Sequence, residues 1–271
     1  ALLAPIVTAC GDARRLHVVP DGIVHLVPLA ALGAPEGAVD PLDTGGLEIR
    51  IGATACELLV DRAQPAESAV GVLLVGGIAF DPNSASFPRL RGTAAEIERL
   101  GHVLRGLDES HTVEVLRGGD ASKDALRASL PNARIVHIAT HSFAREIAAP
   151  VEAGGTRSAI VTHAPLAACG IALAGAFDAG DAEDVLTGEE ITSLDLTRCE
   201  LVVLSACRSN RGLVRTGQGT QSLVTALHAA GAGAVVASLW DVPDEATSEL
   251  MGEFYANHLV QKMSARDALD A

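Results

Sequence analysis

Short apolar stretches without polar alternation recur along the chain: Val72 to Val75, Ile135 to Ala139, Leu201 to Leu204 and Ala234 to Leu239. Runs of this length suit strands buried on both faces, the habit of parallel sheets. Between them the pattern shifts to the helical period, with readable ends. Thr93 and Glu96 have the spacing of a capping box ahead of Ile97, Leu100, Leu104 and Leu107. Ser122 is placed to cap a helix carrying Ala125 and Leu126 that stops at Pro131, because proline lacks the N–H donor. Leu223, Leu227 and Ala230 share one face of a further helix with Gly231 at its end, and Asp244 is placed to cap the next, which carries Leu250, Phe254 and Leu259. Strand and helix in alternation predict an α/β fold with a mainly parallel central sheet flanked by helices. The first segment differs: Leu16 to Pro20 and Ile23 to Pro28 flank Asp21-Gly22 and predict an N-terminal β-hairpin on an edge. Ala144 to Asp184 is rich in Ala and Gly, with Ile160 to Thr162 and Gly170 to Leu173 as weak strands. No repeat or linker demands a second domain. Residues 1–271 therefore read as one domain, with a hairpin and edge region over 1–65 and an α/β core over 66–271.

Charge and composition narrow the function. The 20 Lys and Arg against 34 Asp and Glu leave a net charge of -14, a field that repels phosphate and anionic lipid, so direct nucleic-acid binding is not expected. Hydrophobic residues make up 48% and aromatics only 3%, which excludes disorder and leaves few stacking platforms for bases. The five Cys form no C-x-x-C pair and are odd in number, so neither a disulfide framework nor a thiolate zinc site is indicated, and a reducing cytoplasm fits best. The charge-free run from Thr216 to Trp240 is longer than a membrane span needs, but two Gln, four Gly and a His mark it as a helix followed by a strand rather than a span. The chain starts with Ala and carries no signal region, and it reads as a piece of something longer.

In an open parallel sheet the loops beyond the carboxyl ends of the strands converge on one crevice, where ligands bind. Thr140-His141 follows the second run, Ala206-Cys207 the third, and Trp240-Asp241 the fourth. An imidazole, a thiol and a carboxylate on one rim suit covalent chemistry on an acyl group: a thiolate attacks the carbonyl, and an imidazolium lowers the thiol pKa and protonates the leaving amine. Spacing alone leaves Cys207 open as an inert core thiol and His141 as a structural histidine. His137 lies inside an apolar run and reads as core; Cys10, Cys56, Cys169 and Cys199 read as structural, as do His17 and His25. The P-loop, H-E-x-x-H and G-x-S-x-G patterns are missing, and Gly76-Gly77 lacks the rest of a dinucleotide fingerprint and reads as a point of close packing.

At these residues the sequence resembles the CHAT family of caspase-like cysteine peptidases. The resemblance rests on His-Ile-Ala-Thr-His at 137 to 141 and Leu-Ser-Ala-Cys at 204 to 207. It extends, in order, through Val19-Pro20-Asp21-Gly22 with Pro28-Leu29, Leu186 to Ile191, Ala229 to Ala232, Ser238 to Val242 with Asp244 and Thr247, and Met251 to Tyr255. The resemblance implies a caspase-type sheet and a dyad in which Cys207 is the nucleophile and His141 the general acid/base. It also implies an oxyanion hole made by the backbone N–H groups of Ser142 and Cys207. Family members usually have Gly where this chain has Ser142; a positive φ there would cost Ser what Gly avoids. Arg208-Ser209-Asn210 likewise departs from the family's acid-Thr-Gly. By analogy with separase-like relatives, Asp241 or Asp244 would favour a basic residue before the scissile bond, although Asp244 equally suits a helix cap.

The expectation is a cysteine endopeptidase acting on a protein substrate, with no metal or cofactor. The resemblance also implies a tetratricopeptide-type helical-repeat partner or fused domain that would regulate it in bacterial defence or cell death. The alternatives are a catalytically degenerate interaction module of the same fold and a thiol-dependent acyl transferase.

Overall fold

A computed structural model describes residues 8–19, 24, 48–51, 71–107, 112–144, 165–178, 183–205, 213–215, 219–238 and 244–271. The chain divides into two compact units, Ala1–Ala63 with Val214–Gln221, and Gln64–Leu213 with Ser222–Ala271.

In the smaller unit, β1 (Arg15–Val18) pairs in parallel with β2 (Glu48–Ile51). The first arm of the expected hairpin is thus a strand, and β2, a parallel partner, is reached by a crossover rather than by a two-residue turn. The second arm, Ile23 to Pro28, lies outside the described residues apart from Val24, which sits in a 3-10 turn.

The larger unit runs β3 (Gly71–Ile78), α1 (Gly92–Leu107), β4 (Thr112–Gly118), α2 (Lys123–Ser129) and β5 (Ile135–Ile138), then β6 (Ser142–Ala144), β7 (Cys169–Ala172) and β8 (Val185–Thr187). It continues through α3 (Gly188–Thr192) to β9 (Leu201–Leu204). A short pair, β10 (Leu213–Arg215) with β11 (Gly219–Gln221), falls from Val214 onward in the smaller unit, and the larger unit resumes with α4 (Leu223–Ala229), β12 (Ala234–Ala237), α5 (Asp244–Tyr255) and α6 (Ala265–Asp270).

Five strands form a parallel sheet in the order β12-β9-β5-β3-β4. Side chains along β3, β5 and β9 alternate between two apolar layers, which is why those sequence runs show no polar alternation. Leu73, Val75, Val136, Ile138, Val202 and Leu204 pack with Leu126, Leu223 and Leu227 on one face. Val72, Leu74, Ile135, Leu201 and Val203 pack with Ile97, Leu100, Leu104, Met251, Phe254 and Tyr255 on the other. Each fully buried aliphatic side chain contributes roughly 1.5–3 kcal/mol, so these layers dominate the stability of the unit.

The helix ends follow local chemistry, with one correction. Ser122 Oγ accepts from Ala125 N, and Gly231, at φ 110°, closes the end of α4. Leu250, expected on the apolar face of α5, is exposed, while Met251 and Phe254 carry the burial. Thr93 and Glu96 do not form the expected capping box. Helix α1 starts at Gly92, the Thr93 hydroxyl accepts from Gly77 N at 3.1 Å, and Glu96 turns into the core. The reciprocal box is instead Thr187 with Glu190 at the start of α3. Gly76 permits this approach: a Cβ there would lie 2.8 Å from Ile97 Cγ2 and 3.0 Å from Thr93 O.

Beyond β5 the chain enters a second, antiparallel sheet, β6-β7-β8. Among the described residues no helix is long and apolar enough to cross a membrane.

Candidate active site

Strands β5 and β9 are neighbours, with Ile138 opposite Leu204, and β12 lies on the other side of β9 with Ala237 opposite Leu204. His141 follows Ile138 by three residues. The turn between them is pinned by backbone: Ala139 N donates to Val75 O at 2.7 Å, Thr140 Oγ1 donates to Ala172 O at 2.7 Å, and Ala172 N donates to His141 O at 3.0 Å. The half-buried imidazole lies against Phe80 and Phe87, with ring centroids 5.2 and 5.7 Å away, and Nε2 is 2.6 Å from Pro88 O. A carbonyl oxygen only accepts, so the Nε2 position carries the proton and neutral His141 keeps its lone pair on Nδ1. Three of the five Phe in this aromatic-poor chain gather here, since Phe143 lies 6.2 Å from Phe87.

Ser142 opens β6 opposite Ile171. Because Ala172 N donates to His141 O, Ser142 and Ile171 form the non-hydrogen-bonded pair of the ladder, and the Ser142 N–H is turned away from β7. Among the described non-glycine residues positive φ occurs at Lys262 alone, so Ser142 does not meet the backbone cost that a left-handed position would impose.

Cys207 and Asp241, and with them Arg208-Ser209-Asn210, lie outside the described residues, as does the side chain of Asp244, whose backbone begins α5. The last described residue before Cys207 is Ser205. Of the other thiols, burial raises Cys169 to about 11 and Cys199 to about 12, so both stay protonated at neutral pH and poor as nucleophiles. Cys10 is half-buried and Cys56 lies outside the described residues.

Sequence reasoning missed the partners of His141 and a buried polar cluster beside it. His137, read as core, is fully buried and yet bonded at both nitrogens: Nε2 is 3.0 Å from Glu96 Oε1 and Nδ1 is 3.2 Å from Tyr255 Oη. Glu96 Oε1 also accepts from Ser205 Oγ at 2.7 Å. The signal available was that Ser205 and His137 stand in the two motifs that contain Cys207 and His141. A polar cleft of about 450 Å³ lined by Ser122, Lys123, Asp124, Glu183 and Asp184 includes none of the expected site residues. Among the described residues no group of three His, Cys, Asp or Glu side chains is arranged to hold a metal ion.

The family model of the CHAT domain matches residues 1–271. The chain belongs to the CHAT domain family. CHAT domains are caspase-like domains of the cysteine-peptidase type, and this one has the mixed α/β architecture that type requires, a parallel sheet flanked by helices. Among curated proteins, Tetratricopeptide repeat protein 28 of Homo sapiens is similar, with 26% identity over 277 residues. The alignment covers 96% of this CHAT domain and 11% of the human protein, so the chain spans about a tenth of that relative's length.

Proposed function

We propose that this CHAT domain is a cysteine endopeptidase in which Cys207 is the nucleophile and His141 the general acid/base. What carries the reading is the pairing of β5 with β9 at Ile138 and Leu204: His141 follows one strand by three residues, and Cys207 follows the other by the same number. Adjacent parallel strands lie only about 5 Å apart, so equal exits from paired positions suit a dyad. The bond from His141 Nε2–H to Pro88 O supports the role of the ring, because it leaves Nδ1 as the basic atom.

The chemistry follows from these groups. Nδ1 takes the Cys207 proton, the thiolate sulfur attacks the peptide carbonyl carbon, and the backbone N–H groups of Ser142 and Cys207 bind the oxyanion, a contribution of roughly 3 kcal/mol per donor. The imidazolium passes its proton to the departing amine as the C–N bond breaks, leaving a thioester. Water gives a proton to Nδ1 and its oxygen to the acyl carbon, which releases the carboxylic acid and restores the thiol. No metal or cofactor takes part. Asp241 or Asp244 favours a basic residue before the scissile bond.

The tetratricopeptide character of the human relative supports a helical-repeat regulator, either fused to the domain or binding it, and the family resemblance supports a cytoplasmic role in defence or cell death. The test is cleavage of a peptide library by the purified chain, alone and with its natural neighbours. Wild type should hydrolyse peptides after Arg or Lys, and Cys207→Ala should not. Cleavage that persists in Cys207→Ala would overturn the nucleophile, product formed only with an added amine would indicate acyl transfer, and cleavage after acidic residues would remove Asp241 and Asp244 from the specificity pocket.

A further inference from the structure

The buried cluster beside the dyad strands has a geometry that stability does not explain. Glu96 Oε1 receives two donors, His137 Nε2 at 3.0 Å and Ser205 Oγ at 2.7 Å. His137 belongs to β5, four residues before His141; Ser205 lies one residue past β9, two before Cys207. One carboxylate oxygen on α1 thus ties both strands from which the dyad emerges.

The donors form a consistent chain. Burial, with Glu96 nearby, holds the Tyr255 phenol far above its ordinary range, and its hydroxyl is the partner of His137 Nδ1. Facing a carboxyl oxygen that accepts, His137 Nε2 directs a proton at Glu96, and Ser205 adds its hydroxyl proton to the same oxygen. The helix carrying Glu96 is itself held to the end of β3 by the Gly77 N to Thr93 Oγ1 bond. His137 is 0% and Glu96 6% exposed, so these bonds are shielded from competing water. Apolar residues of similar volume often replace a buried ionic set without loss of stability. What the polar set supplies and an apolar one does not is a fixed distance between two strand ends.

We propose that Glu96 is a positioning residue of the active site, its carboxylate fixing the exit of β5 through His137 and the exit of β9 through Ser205 so that His141 and Cys207 meet in register. The proposal rests on the peptidase reading of that pair. A displacement of about 1 Å between reacting groups lowers turnover by about a hundredfold, so loss of one anchor acts on chemistry more than on substrate binding.

The test uses the intact chain and the variants Ser205→Ala, Ser205→Thr, Glu96→Leu and His141→Ala. Cys207 is alkylated with iodoacetamide from about pH 5 to 9 and followed by peptide mass spectrometry, alongside kcat and KM on a cleaved peptide and thermal melting. A paired thiolate and imidazolium react well below the ordinary thiol range near ~8.5, and that low-pH limb is lost in His141→Ala. In Ser205→Ala and Glu96→Leu the limb should move toward the ordinary range and kcat should fall roughly tenfold to a hundredfold, with KM within about twofold. Ser205→Thr, which keeps the hydroxyl, should restore both. A role confined to folding would lower the melting temperature and leave the limb and kcat in place. A wild-type limb that persists unchanged in Ser205→Ala and Glu96→Leu overturns the positioning role and leaves the dyad standing. A wild-type Cys207 without any His141-dependent limb overturns the dyad and the positioning role together.

Discussion

Phe87→Ala tests how His141 is held. Phe87 is 4% exposed and packs with Ala172, Ala176, Val185, Phe80 and Phe143 in a satellite of the core, with its ring 5.7 Å from His141 and its carbonyl neighbour Pro88 accepting the imidazole proton. Removing a buried Phe ring costs about 3–5 kcal/mol, and a satellite cluster collapses more readily than a central one, so about 3 kcal/mol is expected. For the larger unit of about 200 residues, each kcal/mol lowers the melting temperature by roughly 2–4 °C, which gives a drop of roughly 6–12 °C by far-UV circular dichroism. The same change loosens Pro88, and ¹⁵N NMR of the imidazole should follow it. Wild-type His141 should show a protonated Nε2 and a bare Nδ1 when neutral, and Phe87→Ala should show both tautomers averaged. Phe87→Leu should keep most of the stability and the tautomer. A Phe87→Ala protein that melts within about 1 °C of wild type with unchanged His141 signals would refute this picture of the site.

Two further predictions address the frame. Gly231 has φ 110°, and a Cβ there would lie 2.9 Å from Thr197 N, so Gly231→Ala should destabilise the fold by about 1–3 kcal/mol in a urea titration; an unchanged midpoint would contradict the backbone assignment. Partial burial raises the Glu190 carboxyl, but the Lys123 ammonium at 2.6 Å and the Thr187 donors outweigh it and hold the group below the ordinary carboxylate range. A pKa lowered on folding contributes stability above the unfolded value of about 4.3, and that contribution disappears as pH falls through the folded value. Wild type should therefore lose melting temperature more steeply than Glu190→Gln as pH drops below about 5, whereas equal acid slopes would show the Lys123 pair to be without effect.

The central sheet was legible where both faces of a strand are covered. Val72 to Val75, Ile135 to Ala139, Leu201 to Leu204 and Ala234 to Leu239 correspond to β3, β5, β9 and β12, with Leu239 outside the described residues. Strand β4 shows no apolar run because one of its faces meets water: Thr112 and Glu114 are exposed, and the polar alternation breaks the pattern that marks its neighbours. Glu96 was misread because Thr93 and Glu96 have capping-box spacing, and nothing local shows that the partners of the carboxylate lie 41 and 109 residues away. His137 was placed correctly in the core, but apolar neighbours in sequence conceal that both its nitrogens are bonded. The pairing of β1 was hidden for the same reason, since a turn signal specifies only its own neighbourhood while β2 lies some thirty residues on. The histidine of the candidate site was legible from its place after a strand; its Pro88 and Phe87 partners come from the loop after β3, 53 and 54 residues earlier.

The peptidase reading meets its most direct test in covalent capture. The chain is incubated with a peptidyl chloromethyl ketone ending in Arg, and the adduct is mapped by mass spectrometry in wild type, His141→Ala and Cys207→Ala. One stoichiometric adduct is expected, on Cys207, and it should form at least about a hundredfold more slowly without the His141 imidazole. An adduct on another thiol, or one on Cys207 that forms at the same rate in His141→Ala, would contradict the peptidase reading.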